Sequence, residues 1–400
     1  MAVSDHLSQR PRPVRGVRLG TAEAGIKKPG RKDLVVMEFA PDTEFAAVFT
    51  RNRFRAAPVV LAERHLATEQ PRRLALVNTG NANAGTGAAG ERDALACCTA
   101  LAAEFDLGPE AVLPFSTGVI GEPLPVDRIR GGIEPALADL SEDGWLRAAE
   151  GILTTDTRPK AESVELDSGG QRFTITGIAK GAGMIRPNMA TMLAFVATDA
   201  ALPAETLDRL FRAAVDRSFN RITVDGDTST NDGCLLAATG SAGASPEPEA
   251  FAEALQALCI RLAQALVRDA EGATRFVTIR VQGGATQLES EAVAFTVAES
   301  PLVKTALFAG DPNWGRILAA VGRAGVADLD VADVRIWLGE QCIVRNGGRA
   351  EEYDEPRAAD YMAGEDIEIA IDLARGSAEA TVWTCDFSYD YVRINAEYRS

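Results

Sequence analysis

One candidate nucleophile stands at the end of a glycine-rich segment. Residues 180–195 read KGAGMIRPNMATMLAF, so Ala190 and Thr191 lie between a glycine–proline stretch and an apolar run. Glycine allows unusual backbone geometry and proline fixes φ, so strain can concentrate at the bond between Ala190 and Thr191. A threonine hydroxyl can attack the carbonyl of a distorted preceding peptide and form an ester, which water then opens. The segment is a candidate for self-cleavage before Thr191; a plain strand start is the alternative.

Cleavage before Thr191 would leave a free amine on the residue that carries the nucleophilic hydroxyl. An α-amino group titrates at about 7.7–8.0, so near neutral pH a useful fraction can accept the hydroxyl proton. This base matters because the chain has only two histidines, His6 in the polar N-terminal segment and His65 in the stretch AERHLATEQP. A histidine-based Ser or Cys triad therefore has few ways to form.

Composition excludes several other classes of function. The 400-residue chain is 46% apolar and 24% charged, as globular proteins are, and has a formal net charge of −16. Such an acidic chain offers no basic face large enough for nucleic acid or an anionic membrane. The N-terminal segment has no apolar signal region, which predicts a cytoplasmic protein. Six cysteines without CxxC spacing predict buried free thiols and no metal site.

Three polar motifs suggest other ligands. Residues 85–90 match GxGxxG, but they lie several residues past a strand and no acidic residue closes the next strand, which argues against a dinucleotide site. Residues 225–233 resemble a calcium loop, but Thr230 and Leu236 stand where glycine and glutamate are required. An internally hydrogen-bonded turn is the simpler interpretation, and a contact with a neighbouring site is the alternative. Residues 51–53 (RNR) indicate a solvated edge or an anion contact.

The elements that must position Thr191 show both strand and helix patterns. Alternation and β-branched residues predict strands in DLVVMEF, EFAAVFT, RLALVNT, AVLPFST, RFTITGIAK, MLAFVATDAAL, RITVDGDTSTND, RFVTIRVQGG and EAVAFTVAES, with a strand-rich tail from about Asp328. Periodicity predicts helices in ERDALACCTALAAEF, residues 134–153, PAETLDRLFRAAVDRSF and PEAFAEALQALCIRLAQALVRDAEG. Because the strands fall outside strict β-α alternation, the pattern predicts an α+β protein with layered sheets.

The segment KGAGMIRPNMATMLAFVATDA is similar to the processing segment of the ornithine acetyltransferase (glutamate N-acetyltransferase) family. The resemblance continues in order through GNANAGTG, STGVIGEPLP, TTDTRPK, TVDGDTSTND, LVKTALFAGDPNWGRI and the C-terminal CDFSYDYVRINAEYRS. It implies that Thr191 is the nucleophile and that cleavage after Ala190 gives an α chain, 1–190, and a β chain, 191–400. The implied fold is a layered α/β/β/α sandwich of the self-processing N-terminal-nucleophile type, with a smaller C-terminal α/β domain from about residue 300.

The resemblance also implies the site residues. Thr117 and Gly118 are implied to form the oxyanion hole, and a hydroxyl and a backbone N–H in a glycine-containing turn can both donate to an oxyanion. Lys180 suits a substrate carboxylate and Glu271 an amino group, so an amino acid is expected to be held from both ends. A solvated lysine and a helix-end glutamate are the simpler alternatives. The full set of implied substrate contacts is Thr154, Lys180, Thr191, Glu271, Asn395 and Ser400.

The chain departs from the family pattern at two positions. Thr79 and Gly85 stand where the family usually has serine and cysteine, and neither is an implied catalytic position. Residues 312–314 (PNW) match the family, and a structural turn is their simplest interpretation.

The implied reaction is a ping-pong transfer of acetyl from N2-acetylornithine through Thr191 to glutamate, which gives ornithine and N-acetylglutamate without a cofactor. Acetyl-CoA is left open as a further donor, as is the choice between arginine supply and a specialised pathway. The implied assembly is a cytoplasmic heterotetramer of two α and two β chains. Two alternatives are an N-terminal-nucleophile amidohydrolase or aminopeptidase, with water as acceptor, and a non-catalytic amino-acid-binding protein.

Overall fold

The computed structural model describes residues 3–4, 10–26, 29–68, 70, 73–186 and 192–397. The predictions on Ala190, Thr191 and Ser400 fall outside these residues. The chain divides into two compact units, which we call the core unit (His6–Asn220 and Thr228–Leu266) and the C-terminal unit (Met1–Asp5, Arg221–Asp227 and Val267–Ser400). The predicted division into an α chain, 1–190, and a β chain, 191–400, depends on a cleavage and stays a prediction.

The strands of the described residues are, in chain order, β1 (Val17–Ala22), β2 (Leu34–Phe39), β3 (Glu44–Phe49), β4 (Leu74–Asn81), β5 (Val112–Val119), β6 (Lys160–Ser168), β7 (Gln171–Lys180), β8 (Leu193–Thr198), β9 (Gly233–Ala238), β10 (Phe276–Gly284), β11 (Arg335–Leu338), β12 (Gln341–Arg345), β13 (Gly348–Arg349), β14 (Asp366–Asp372) and β15 (Ala378–Cys385).

The α-helices are α1 (Ala57–Leu66), α2 (Gly87–Ala103), α3 (Val126–Ala138), α4 (Trp145–Gly151), α5 (Ala204–Asp216), α6 (Pro248–Arg268), α7 (Gln287–Ala298), α8 (Pro301–Ala309), α9 (Trp314–Gly322), α10 (Glu355–Met362) and α11 (Tyr389–Ala396). Two short 3-10 helices lie at Pro109–Ala111 and Phe219–Arg221.

Two facing sheets form the centre of the core unit. One has the order β1-β2-β4-β5 and the other β3-β9-β8-β7-β6. Because side chains alternate across a strand, each sheet turns one apolar set toward the other, and a single buried cluster joins them. Phe115 of β5 meets Phe195 of β8 edge to face across this layer, with ring centroids 4.9 Å apart. The residues before and after position 190 therefore share one core.

Helices cover the outer faces of both sheets. Cys98 and Leu101 of α2 and Ile133 of α3 pack in one buried cluster with β2, β4 and β5. On the other side, α5 lies against β3, and Leu258 and Leu262 of α6 crowd the position of Gly177 in β7. The four layers confirm the predicted α/β/β/α sandwich.

Helix α6 is apolar as well as long. Within the described residues it is the single helix that could cross a membrane by length and composition, and half of its most apolar window is buried inside the protein. Helices α7 and α8 pass the same test only as a pair bent by 56°. A buried face against a sheet is the ordinary environment of an apolar core helix.

The C-terminal unit contains a mixed sheet with the order β13-β12-β11-β14-β10-β15. β10 runs parallel to β14 and antiparallel to β15, and side chains from α7, α8, α9 and α10 pack on the sheet in one cluster. β10 and α7 belong to this unit although they precede residue 300. The predicted α/β character of the C-terminal region is confirmed.

Three local predictions were wrong. EAVAFTVAES is helix α7, whose start is capped by Thr286 accepting from the backbone N–H of Glu289; its apolar residues are buried on several sides, which hides the helical period. RITVDGDTSTND is a loop except at its start, where Arg221 ends a 3-10 helix and Ile222 makes an isolated β-bridge with Trp383. Residues 134–153 form two helices rather than one, because Ser141 pairs its backbone with Leu19 of β1 and interrupts the helix.

Candidate active site

Thr117 and Gly118 lie at the carboxyl end of β5, where it runs parallel to β4. Gly118 pairs with Gly80 and has φ +135°, a conformation that side chains rarely adopt. A Cβ on Gly118 would lie 2.3 Å from the carbonyl carbon of Gly80. The close approach of the two strands therefore requires glycine here. Thr117 is half-buried beside it, so a hydroxyl and a glycine backbone N–H lie next to each other.

Lys180 is the last residue of β7 and its side chain reaches Thr117. The lysine is only 8% exposed, and its Nζ donates a hydrogen bond to Thr117 Oγ1 at 3.2 Å. Because the ammonium occupies a lone pair of the hydroxyl oxygen, the hydroxyl proton is left to point elsewhere. A nearby positive charge also makes that O–H a stronger donor. Two of the residues implied by the sequence are thus brought together, although they are far apart in the chain.

Asp156 is a functional candidate that the sequence analysis missed. Its buried carboxylate accepts from the backbone N–H of Gly181 at 2.7 Å and of Thr154 at 3.1 Å. It also accepts from Lys160 Nζ at 2.7 Å, and both side chains of this ion pair are 0% exposed. Asp156 therefore ties the predicted contact Thr154 to the residue that follows Lys180.

The electrostatic state of Asp156 follows from its neighbours. Burial alone would raise the pKa of this carboxyl, but Lys160, Lys180 and the hydrogen bonds from Lys160 and Gly181 together hold the pKa well below its ordinary value. The carboxylate is therefore ionised throughout the physiological range. Its charge is the ion-pair partner of Lys160 and also attracts the ammonium group of Lys180.

Asn231 connects the polar run 225–233 to strand β5 and to the residue that follows β4. Its Nδ2 donates to the carbonyl oxygens of Ala82 at 2.5 Å and Ser116 at 2.9 Å. The hydroxyl of Ser116 in turn donates to Asn78 Oδ1 at 2.5 Å. This buried network fixes the backbone immediately before Thr117. Through Asn231, the run therefore contacts the strand that carries Thr117.

In the C-terminal unit, Glu271 and Asn395 are in contact. Asn395 Nδ2 donates to Glu271 Oε2 at 2.7 Å, and Glu271 is 7% exposed. Tyr391, one turn before Asn395 on α11, donates its hydroxyl to Asp225 Oδ2 at 3.3 Å. Burial and the charges of Asp225 and Glu271 raise the pKa of Tyr391. The local field is therefore negative, which suits the ammonium group of a ligand.

The two departures from the family pattern have structural explanations. Thr79 is buried opposite Thr117 in the β4–β5 register, and its hydroxyl lies 3.3 Å from the carbonyl oxygen of Gly151, a contact that serine can also make. Gly85 has φ +71°, and a Cβ there would lie 3.1 Å from Cζ of Phe54. The exposed Phe54 ring therefore fills the space over Gly85.

The match at residues 312–314 is a structural turn, as expected. Asn313 caps α9, because its side chain accepts from the backbone N–H of Arg316 at 3.1 Å.

Other candidate nucleophiles and bases have structural roles. His65 is buried on α1, with Nδ1 2.7 Å from the carbonyl oxygen of Val112. All six cysteines are free and buried, as the sequence predicts, and burial raises the pKa of Cys97 to about 12 and of Cys385 to about 11. Over the residues that the structure covers, no three His, Cys, Asp or Glu side chains form a cluster that could hold a metal ion.

A four-layered sandwich that presents a threonine–glycine pair beside a buried lysine places the chain in the N-terminal-nucleophile fold class. A sequence profile of the ArgJ family matches residues 18–400. The chain belongs to the ArgJ family, and the family predicted from its sequence is confirmed.

A named relative spans nearly all of the chain, and two solved structures each cover about half of it or less. The arginine biosynthesis bifunctional protein ArgJ of Pseudomonas fluorescens (strain Pf0-1) is 54% identical over 395 residues, 97% of each chain. The crystal structure of the protein with the same name from Bacillus halodurans is 38% identical and covers 50% of this chain and 97% of its own, with a TM-score of 0.48. That of ornithine acetyltransferase from Mycobacterium tuberculosis, complexed with ornithine, is 36% identical and covers 44% and 94%, with a TM-score of 0.40.

Proposed function

We propose that this protein transfers an acetyl group from N2-acetylornithine to glutamate, as an enzyme of arginine biosynthesis. Membership of the ArgJ family supports this activity, since a 54% identical relative is named an arginine biosynthesis bifunctional protein. The observation that carries the proposal is the hydrogen bond from Lys180 to Thr117, next to Gly118, whose conformation requires glycine. This arrangement presents two donors and a positive charge, which is what acyl transfer requires.

The reaction begins when Thr191 attacks the acetyl carbonyl of N2-acetylornithine. The α-amine of Thr191 takes the hydroxyl proton, the new C–O bond forms, and the carbonyl oxygen becomes an oxyanion. The hydroxyl of Thr117 and the N–H of Gly118 donate to this oxyanion, and the charge of Lys180 strengthens the Thr117 donor. The C–N bond then breaks, the proton passes to the leaving nitrogen, and ornithine departs from acetyl-Thr191.

The second half of the cycle repeats these steps in reverse. The amine of glutamate attacks the acetyl-threonine ester, the same two donors hold the oxyanion, and N-acetylglutamate leaves as the hydroxyl of Thr191 is restored. No cofactor takes part in this cycle. Acetyl-CoA is a further donor to be tested, because the named relative is described as bifunctional.

The remaining contacts concern recognition of the amino acid. Thr154 and Lys180 are proposed to bind the carboxylate end of the substrates. Glu271, oriented by Asn395, is proposed to bind an ammonium group, for which its negative surroundings are suited. Ser400 is kept as a proposed contact from the family resemblance.

Cleavage between Ala190 and Thr191 must precede catalysis, because only cleavage frees the amine that serves as base. The α and β chains, 1–190 and 191–400, are proposed to stay together, and β7 and β8 pair across the cleavage position. We propose a heterotetramer of two α and two β chains in the cytoplasm.

The test is an acetyl transfer assay on the purified protein. Acetylornithine with glutamate should give ornithine and N-acetylglutamate in equal amounts, and N-terminal sequencing should find a chain beginning Thr-Met-Leu-Ala. The variant Thr191→Ala should stay uncleaved and inactive. Release of acetate at the same rate with and without glutamate would instead identify a hydrolase, and ornithine binding without turnover would identify a binding protein.

A further inference from the structure

An arginine-lined cleft lies where β3 ends in the core unit. It is an open cleft of about 900 Å³ between the segment that follows β3, helix α1 and helix α5. Four of its lining residues are arginines and a single one is acidic, in a protein whose net charge is −16. The charged lining residues are Arg51, Arg53, Arg55, Arg212 and Glu63. The cleft therefore concentrates positive charge on an otherwise acidic protein.

Two of the four arginines have their charge available. Arg55 is paired with Glu63 at 2.6 Å, and Arg212 with a carboxylate one turn away on α5 at 2.7 Å. Arg51 and Arg53 are exposed, and neither makes an ion pair with any residue in the described part of the chain. Two guanidinium groups that lie in one cleft and have no carboxylate partner in that part of the chain are available to bind an anionic ligand.

The segment that carries these arginines is held in place by the core unit. The backbone N–H of Thr50 donates to the carbonyl oxygen of Asp232 at 3.1 Å, and Asn52 Nδ2 donates to that of Thr228 at 2.9 Å. The side chain of Asn52 also accepts from the backbone N–H of Phe54 at 2.9 Å, which closes a turn. A segment fixed in this way loses little entropy when a ligand binds.

The cleft and Lys180 lie at the same end of the strands of one sheet. Phe49, which lines the cleft, pairs with Gly233, Gly233 with Leu193, and Leu193 with Lys180. Neighbouring strands are about 4.8 Å apart, so three steps across the sheet span about 14 Å. A ligand anchored in the cleft by one end could therefore extend its other end toward Lys180.

We propose that this cleft binds the phosphate groups of a nucleotide-sized ligand, with Arg51 and Arg53 as the phosphate contacts. The planar guanidinium group can bind two phosphate oxygens at once. The volume of the cleft falls in the range of small-molecule sites, about 300–1,000 Å³. The phosphates have two sources, the nucleotide end of an acyl-coenzyme A or a free nucleotide. The first source rests on the acyl transfer activity proposed above, and the second does not.

The experiment measures binding by isothermal titration calorimetry with the whole protein. The probes are adenosine 3′,5′-bisphosphate and coenzyme A, with adenosine as the uncharged comparison. The double variant Arg51→Gln/Arg53→Gln should weaken binding of both phosphorylated probes at least about tenfold, because two charge-assisted contacts are lost. The control Arg92→Gln/Arg209→Gln removes the same charge from two exposed arginines of the core unit outside the cleft, and should bind like the wild type.

Turnover separates the two sources. If the KM for acetyl-CoA in glutamate acetylation rises in the Arg51/Arg53 double variant while acetylornithine-dependent transfer is unchanged, the ligand is an acyl-coenzyme A. Binding of the bisphosphate without acetyl-CoA turnover supports a free nucleotide. Failure of the wild type to bind either phosphorylated probe, or equal binding by the double variant, overturns the proposal. Absence of acetylornithine-dependent transfer in the wild type refutes the proposed function instead. The binding result still tests the phosphate site in that case.

Discussion

The buried pair of Asp156 and Lys160 gives the sharpest stability prediction. Asp156→Asn keeps the size of the side chain but removes its charge, which leaves the fully buried ammonium of Lys160 without its carboxylate partner at 2.7 Å. Removing one partner of a buried ion pair costs about 3–5 kcal/mol, because the remaining charge is no longer compensated. We expect a loss of this size in the free energy of unfolding of the core unit.

The pH dependence of this loss has a defined sign. The pKa of Asp156 is depressed in the folded protein, so its contribution is complete above the unfolded pKa of about 3.9 and falls away as the pH drops below that value. The difference in stability between the wild type and the Asp156→Asn variant should therefore be full at pH 7 and should shrink in acid below about pH 4.

Urea unfolding followed by circular dichroism measures this difference. Both proteins should carry Thr191→Ala, so that each unfolds as a single uncleaved chain. The matched control is Asp167→Asn, which breaks an ion pair with Arg172 whose side chains are 70% and 63% exposed and should change stability by less than about 1 kcal/mol. Equal losses in the two variants would show that burial of the Asp156 pair contributes nothing, and the electrostatic account of the site would have to be abandoned.

Three further changes test strand β5 of the core unit and the contact between Glu271 and Asn395 in the C-terminal unit. Thr117→Val should lower kcat about 10²–10³-fold with little change in KM, and steady-state kinetics showing normal kcat would remove the hydroxyl from its role. Gly118→Ala should fail to accumulate as folded protein, since its Cβ meets the β4 backbone, whereas Gly121→Ala, also at positive φ but with open space around it, should fold; soluble yield and thermal melting compare them. Asn395→Ala should raise the KM for acetylornithine several-fold by releasing Glu271, and an unchanged KM would contradict this orientation.

Much of the local structure of the core unit could be predicted from the sequence alone. Strands β4, β5, β7 and β8 were predicted from their alternating or continuous apolar residues, which reflect burial on one face or both. Helices α5 and α6 were predicted from the periodicity of their apolar residues. Helix α7 was missed because a helix buried on several sides carries no periodic signal.

The candidate site was only partly predictable. Thr117, Gly118 and Lys180 were named from motifs, but nothing local to those motifs places Lys180 against a hydroxyl 63 positions earlier in the chain. Asp156 and Lys160 were overlooked because aspartate and lysine are ordinarily solvent-exposed, and only packing in the core unit removes both from water.

The order of polar and apolar residues determined most of the segments that became strands and helices. The glycine–proline segment and its threonine predicted self-cleavage and a threonine nucleophile. Tertiary structure decided which charges meet, because hydrogen bonds and ion pairs depend on distances that only the folded sheets set. The same is true of the Arg51–Arg53 segment, for which the sequence left a solvated edge and an anion contact both open. Only the fold placed these two arginines, unpaired among the described residues, in one cleft, where their charges favour an anion.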